Sequence, residues 1–280
     1  IMFLATASLG AIWSACAPEF GTRSVIERFK QIEPKVLVAV DGYRYGGKDY
    51  SRIDEVQRIQ MALPSVLLTV LVPNMNLDNG ELYLDNTISW MDIHRDGVDF
   101  KVEPVDFEHP LWILYTSGTT GPPKPIVQGH GGILLEHLKV LSLHFDLKRN
   151  DRFFWITNTG WMMWNLLIGG LLVDATVLLY DGSPTYPNLG SLWAFFKEAQ
   201  GTYFGASAPY IQVCMKRGLS PRKSFDIGRI RGFGSTGAPL SPEGFKWVYE
   251  NVSPELVLNS FSGGTDLCTG FLGSSPILPV

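Results

Sequence analysis

The chain has 280 residues, 45% of them hydrophobic and 18% charged, a composition that can bury a sizeable core and excludes a disordered segment. Lys plus Arg number 23 against 27 Asp plus Glu, a formal net charge of -4, so no basic balance calls for nucleic acid and no polybasic run for a membrane surface. Cys16, Cys214 and Cys268 make an odd count without metal-like spacing, which excludes a disulfide framework and a zinc site and fits a reducing compartment such as the cytosol.

The sequence opens at Ile1 inside an apolar run and closes at Val280 after Gly273-Ser274-Ser275-Pro276, so it reads as an excerpt of a longer protein. Residues 1–17 carry no charged side chain and end in Ala15-Cys16-Ala17, which imitates a signal cleavage site, but no basic segment precedes them. Thr6, Ser8, Gly10 and Ser14 interrupt the run, and it falls short of the roughly 20 apolar residues of a membrane span. It is expected to form a buried helix packed on a sheet.

Residues 21–30 read as a short amphipathic helix with Val25, Ile26 and Phe29 on one side. Residues 36–40 are a continuous apolar strand of the kind covered on both faces, stopped by Asp41-Gly42. A helix over 51–63 and a strand over 66–72 follow. Residues 74–110 are polar and turn-rich, a surface excursion. Residues 111–115 form a strand running into a glycine-rich turn; 133–145 is a helix, 153–157 a strand and 166–173 a helix too short to cross a bilayer. Further strands at 175–180, from 203, at 230–234 and at 255–260 alternate with helices at 192–199, 209–217 and 242–249. This alternation predicts an α/β fold, a mainly parallel sheet flanked by helices, with ligand-binding motifs where strands end.

The most informative segment is Tyr115-Thr116-Ser117-Gly118-Thr119-Thr120-Gly121-Pro122-Pro123-Lys124. Glycines let successive backbone N–H groups face an anion, hydroxyls add donors, and Lys124 adds a mobile positive charge. This is chemistry for polyphosphate. It is not a Walker A loop, since prolines precede Lys124 and Pro125 follows where Ser or Thr is required.

The string resembles the phosphate-binding signature of the adenylate-forming superfamily, which includes acyl-CoA synthetases, luciferases and peptide-synthetase adenylation domains. Other segments agree in order and spacing. Gly160-Trp161-Met162-Met163-Trp164 is similar to an acyl-pocket segment, and Gly234-Ser235-Thr236-Gly237-Ala238-Pro239-Leu240-Ser241 to the adenine-binding turn. Asn259-Ser260-Phe261-Ser262-Gly263-Gly264-Thr265-Asp266 is similar to the superfamily's tyrosine-glycine-any-threonine-glutamate motif, with Ser262 in place of the aromatic residue and Asp266 one methylene shorter than Glu. Ser8–Ser14, Val40–Lys48 and Phe261–Asp266 carry a closer likeness to synthetases that activate acetoacetate.

The resemblance implies that residues 1–280 are part of the large N-terminal domain of an adenylate-forming enzyme. The ribose-binding aspartate, the hinge and the C-terminal lid with its lysine would lie outside them. It implies ATP as substrate, Mg²⁺ as cofactor and CoA as co-substrate, with acetoacetate passing through acetoacetyl-AMP to the thioester. Lys124, Thr265 and Asp266 would be the catalytic residues. Thr116, Ser117, Gly118, Thr119, Thr120, Gly121 and Lys124 would hold the β- and γ-phosphates. Gly237, Ala238 and Pro239 would line the adenine, Ser260 to Thr265 would border the nucleotide, and Asp266 would bind the metal. Trp161, Met162, Thr236 and Gly263 would line the acyl pocket. Acetate-type relatives hold a tryptophan where Gly263 stands, so the glycine is expected to open room for a longer acid and Thr236 to donate to its ketone. Other short-chain acids, acetate or propionate, and an inactive nucleotide-binding fragment are the alternatives.

His130, His137 and His144 lie seven apart, but roughly 10 Å of helical rise between neighbours is too far for shared metal ligation. Cys268 has no paired base for a nucleophile's role.

Overall fold

The computed structural model describes residues 1–75, 84–93, 97–116 and 121–278. They divide into two compact units, 1–129 and 130–280. Among the described residues no helix is long and apolar enough to cross a membrane.

In the first unit α1 (Met2–Ser8) and β1 (Trp13–Ser14) replace the expected buried helix. Gly10 turns the chain at φ +64°, and α1 buries no residue: Leu4 is 52% exposed, and Ile1 just before the helix is 85% exposed. Seven residues without an apolar period give too little surface to pack; Phe3 anchors the helix through the rings of Trp13 and Trp112. The amphipathic α2 (Thr22–Phe29) buries Val25 and Phe29. After it come β2 (Val36–Val40), the hairpin β3 (Gly42–Tyr45) and β4 (Lys48–Ser51), α3 (Ile53–Ala62) and β5 (Leu68–Val72). A parallel sheet runs in the order β2-β5-β6, where β6 (Thr87–Ser89) comes from the stretch expected to be a surface excursion. β2 is the other edge strand, and its burial falls short of the full cover expected on both faces: Leu37 is buried, Val38, Ala39 and Val40 are half-buried, and Val36 is 51% exposed.

A second sheet in this unit, β1-β7-β8, bears the glycine-rich loop. β7 (Pro110–Thr116) pairs parallel with β1 and antiparallel with β8 (Lys124–Gly129). Three prolines near its start made β8 illegible as a strand, but an edge strand tolerates Pro because one row of its N–H groups faces no partner.

The second unit is built on a five-stranded parallel sheet, β10-β9-β11-β12-β13. In chain order α4 (His130–Lys139) runs into a π-helical turn (Val140–His144), then β9 (Arg152–Trp155), α5 (Met162–Gly169), a 3₁₀ turn (Gly170–Val173) and β10 (Thr176–Leu178). They are followed by α6 (Ser191–Glu198), β11 (Tyr203–Ser207), α7 (Ala208–Lys216), the short α8 (Pro221–Ser224), β12 (Gly232–Thr236), α9 (Pro242–Asn251) and β13 (Val257–Ser260). A hairpin, β14 (Ser262–Gly264) and β15 (Thr269–Leu272), comes last.

Both faces of this sheet are covered, as its near-continuous apolar strands predict. Alternate residues go to opposite sides. Phe154, Phe204 and Phe233 join Trp193 and Phe196, the rings of Trp193 and Phe204 stacked 4.1 Å apart. Phe153, Trp155 and Tyr203 face the other way, against Phe145, Leu166 and Phe261. Trp155 lies flat on the sheet because Gly205 and Gly234 leave it room: a Cβ on either would stand 2.0 or 2.2 Å from the indole.

Candidate active site

In the first unit the glycine-rich segment lies, in the sequence, between the antiparallel strands β7 and β8. Thr116 and Lys124 are partners in the β7–β8 register, so the two residues stand opposite each other on the strands that flank the glycine-rich segment. Lys124 is exposed and Gly121 is exposed. Ser117, Gly118, Thr119 and Thr120 lie outside the described residues.

Two residues that the sequence did not single out hold the loop's flanks. Gln31, just past α2, donates from Nε2 to the Pro123 carbonyl at 2.9 Å. The Tyr115 hydroxyl donates to the Arg28 carbonyl at 2.8 Å, and the Arg28 guanidinium lies 5.8 Å from the Tyr115 ring centre. Burial pushes the Tyr115 phenol well above its usual range, so it stays a protonated donor. No local pattern marks Gln31, because its bond spans 92 residues.

In the second unit the proposed adenine turn, Gly237, Ala238 and Pro239, is exposed at the carboxyl end of β12. Gly237 takes φ +85°, a left-handed conformation that favours glycine. Ser241 then caps α9, its hydroxyl accepting from the Gly244 N–H at 3.2 Å, with Pro242 in the first turn. Buried Leu240 pins the turn from below.

The following motif starts where β13 ends at Ser260. Phe261 turns inward, with its N–H on the Ser235 carbonyl at 3.0 Å and its ring 5.6 Å from Trp155. Ser262, Gly263 and Gly264 are β14, a strand absent from the sequence expectation because two glycines in three residues carry no apolar pattern. Thr265 and Asp266 occupy the tight turn to β15. It is closed by the Cys268 N–H, which reaches the carbonyls of Gly264 at 3.0 Å and Thr265 at 3.2 Å. Asp266 is exposed there.

Two acyl-pocket expectations are corrected. A Cβ on Gly263 would stand 1.9 Å from the Thr269 carbonyl oxygen and 2.6 Å from the Gly270 Cα. The side-chain direction is filled by the β15 backbone, so the glycine serves the close approach of the hairpin strands rather than an open pocket wall. The Thr236 hydroxyl donates its hydrogen to the Phe261 carbonyl at 2.9 Å, which leaves it able to accept but not to donate to a ketone. Trp161 is 60% exposed at the start of α5, and half-buried Met162 packs on the cluster beneath.

Two of the heptad histidines touch backbone. The ring Nε2 of His137 is 3.0 Å from the Cys268 carbonyl, and Nδ1 of His144 is 3.1 Å from that of Ser274. Among the described residues no group of three or more His, Cys, Asp or Glu is arranged for a metal ion. Mg²⁺ held mainly by nucleotide phosphates and water needs only one or two carboxylates, and exposed Asp266 supplies one hard oxygen donor of that kind.

An acetoacetyl-coenzyme A synthetase of Rhizobium meliloti (strain 1021) is 43% identical over 291 residues, covering 100% of this chain and 43% of its own length. Malonamoyl-CoA synthetase vrtB of Penicillium aethiopicum is 37% identical over 303 residues, covering 100% of this chain and 42% of its own. The solved structure of an acetoacetyl-CoA synthetase from Streptomyces lividans superposes with a TM-score of 0.94 at 46% identity, over 100% of this chain and 43% of that one. The chain thus spans less than half the length of these relatives. A family profile described as AMP-binding enzyme matches residues 1–272, nearly the whole sequence, and on that match this chain belongs to the AMP-binding enzyme family.

Proposed function

We propose that residues 1–280 form part of the large N-terminal domain of a synthetase that uses ATP to activate a β-carbonyl carboxylate, acetoacetate first, and passes the acyl group to CoA. The acid's oxygen attacks the α-phosphorus of ATP, pyrophosphate leaves, and CoA thiol then displaces AMP from the acyl-adenylate. A carboxylate is a poor electrophile, so the protein's task is positioning and charge stabilisation. Lys124 would set its ammonium against the charge that builds on pyrophosphate. Thr116, with Ser117, Gly118, Thr119, Thr120 and Gly121, would cradle the β- and γ-phosphates. Thr265 would hydrogen-bond the α-phosphate, Gly237, Ala238 and Pro239 would face the adenine, and Ser260 to Gly264 would border the nucleotide. Asp266 would hold Mg²⁺, which supplies charge neutralisation on the phosphates when bound.

The observation that carries this reading is the antiparallel pairing that sets Thr116 opposite Lys124 on the strands flanking a segment of glycines and hydroxyls. The substrate class rests on the relatives' names. Acetoacetate and malonamate share a carbonyl β to the carboxylate and differ in a methyl against an amino group. Cys16, Cys214 and Cys268 form no disulfide, which suits the cytosol, and the partners are small molecules rather than nucleic acid or membrane.

The test is ATP–pyrophosphate exchange by the full-length enzyme with acetoacetate, malonamate, acetate and propionate. The expected order places the β-carbonyl acids first. One methylene in an apolar pocket is worth only about 1–3 kcal/mol, so acetate is expected to be a poor substrate rather than an excluded one. Acetate matching acetoacetate in kcat/KM would refute the substrate class, and ATP binding without any exchange would favour an inactive nucleotide-binding protein.

A further inference from the structure

A short turn presents Thr265 and Asp266. It joins two strands of three and four residues, and Asp266 itself is exposed. Its closing residue, Cys268, is fully buried and takes φ +54°, a left-handed conformation that a non-glycine residue adopts only when its surroundings impose it. The Cys268 N–H faces back into the turn, and its carbonyl faces the His137 ring on α4 at 3.0 Å.

A carbonyl only accepts, so Nε2 of His137 carries the proton. The ring is 1% exposed, and burial lowers its pKa to about 4, which keeps it neutral. On its other side the ring lies against α5 at Gly169, where a Cβ would stand 2.7 Å from Nδ1. α5 also packs on β15, the strand that leaves Cys268. The imidazole is therefore seated by a helix on one side and spends its donor on the residue that closes the turn.

We propose that His137 is a positioning residue: its bond to the Cys268 carbonyl, seated by Gly169, sets where Thr265 and Asp266 stand. This rests on the reading above that the turn serves ATP and Mg²⁺. Neither His137 nor Gly169 belongs to the proposed nucleotide contacts, and the histidine is 131 residues from the carbonyl it holds.

The experiment is a Mg²⁺ titration of pyrophosphate exchange in the full-length enzyme, with KM for ATP and kcat measured separately. His137→Ala, His137→Gln, Gly169→Ala and Asp266→Asn are compared. Groups that orient a metal ligand typically contribute 10–100-fold, so His137→Ala is expected to raise the half-saturating Mg²⁺ about tenfold. His137→Gln, whose amide can donate from a similar reach, restores much of the loss. Gly169→Ala, which crowds the ring, shifts the titration in the same direction as His137→Ala. Added to Asp266→Asn, His137→Ala shifts the Mg²⁺ requirement little further, because the carboxylate it positions is gone. If the alanine variant does not fold, His137→Gln and Gly169→Ala carry the test.

Folded His137 and Gly169 variants with an unchanged Mg²⁺ requirement, beside an Asp266→Asn that shifts it, would overturn the positioning role alone. A full additive effect on top of Asp266→Asn would do the same. An Asp266→Asn without effect on the titration would overturn the assignment of the turn to the metal, and the positioning role with it.

Discussion

Gly263 offers a sharp test, because a pocket wall and a backbone requirement predict opposite kinetics. The first methyl group of any side chain there would lie 1.9 Å from the Thr269 oxygen and 2.6 Å from the Gly270 Cα. Carbon–oxygen contacts settle near 3.3 Å or more, so β15 must retreat by more than about 1 Å. Overpacking of this kind costs about 1–3 kcal/mol. The hairpin also carries Thr265 and Asp266, and a misplacement of about 1 Å at a reacting centre can cost on the order of 10²-fold in rate. Gly263→Ala is therefore expected to lower kcat/KM about 10²-fold for acetoacetate and acetate alike, and Gly263→Trp to do so at least as severely. Gly264→Ala is the internal control: nothing stands within 4 Å of a Cβ there, so stability should stay within about 0.5 kcal/mol. The assay is steady-state pyrophosphate release with both acids, paired with thermal unfolding of each variant. A Gly263→Trp enzyme that gains on acetate relative to acetoacetate would refute this reasoning and restore the pocket wall.

Lys124→Ala should slow adenylation by about 10²–10³-fold while changing KM for ATP much less, since the ammonium acts on charge that develops in the transition state; unchanged pyrophosphate exchange would remove it from the mechanism. His137 makes stability depend on acid. Burial lowers its pKa from 6.5 to about 4, so between those values the unfolded chain binds a proton that the folded chain does not. Stability from this group is complete above pH 6.5 and is lost as pH falls towards 4, about 3 kcal/mol in all; denaturant titrations of His137→Gln across that range should show the slope reduced, and an unaltered slope would count against it. Ser241→Ala removes the cap of α9 and should cost about 1 kcal/mol in denaturant unfolding, with a milder loss for Ser241→Gly; equal stability of Ser241→Ala and wild type would show the cap to be idle.

Much of this could be read locally. The strand–helix alternation from residue 153 onwards places every strand of the five-stranded sheet, because apolar runs such as Phe153–Trp155 and Tyr203–Ala206 are covered on both faces and need no distant information to be recognised. Gly237, Ser241 and Pro242 announce a turn and a helix start through backbone conformation and capping alone. Where the pattern was weak, length or context decided. Residues 1–17 had apolar composition but no period, and only seven of them became α1. β6 and β8 were hidden by polar neighbours and prolines that edge strands accept.

The sequence by itself determined the chemistry on offer: a string of glycines and hydroxyls ending in Lys124, and a threonine and a carboxylate side by side at 265 and 266. Only the tertiary structure decided how those groups are held. It set Thr116 across from Lys124, tied Pro123 to Gln31, closed the Cys268 turn against His137 and filled the space beside Gly263 with backbone. The reason is physical. A donor type or a turn propensity belongs to a residue and its near neighbours, whereas a carbonyl held by an imidazole 131 positions away, or a Cβ excluded by another strand, exists only once the chain has packed.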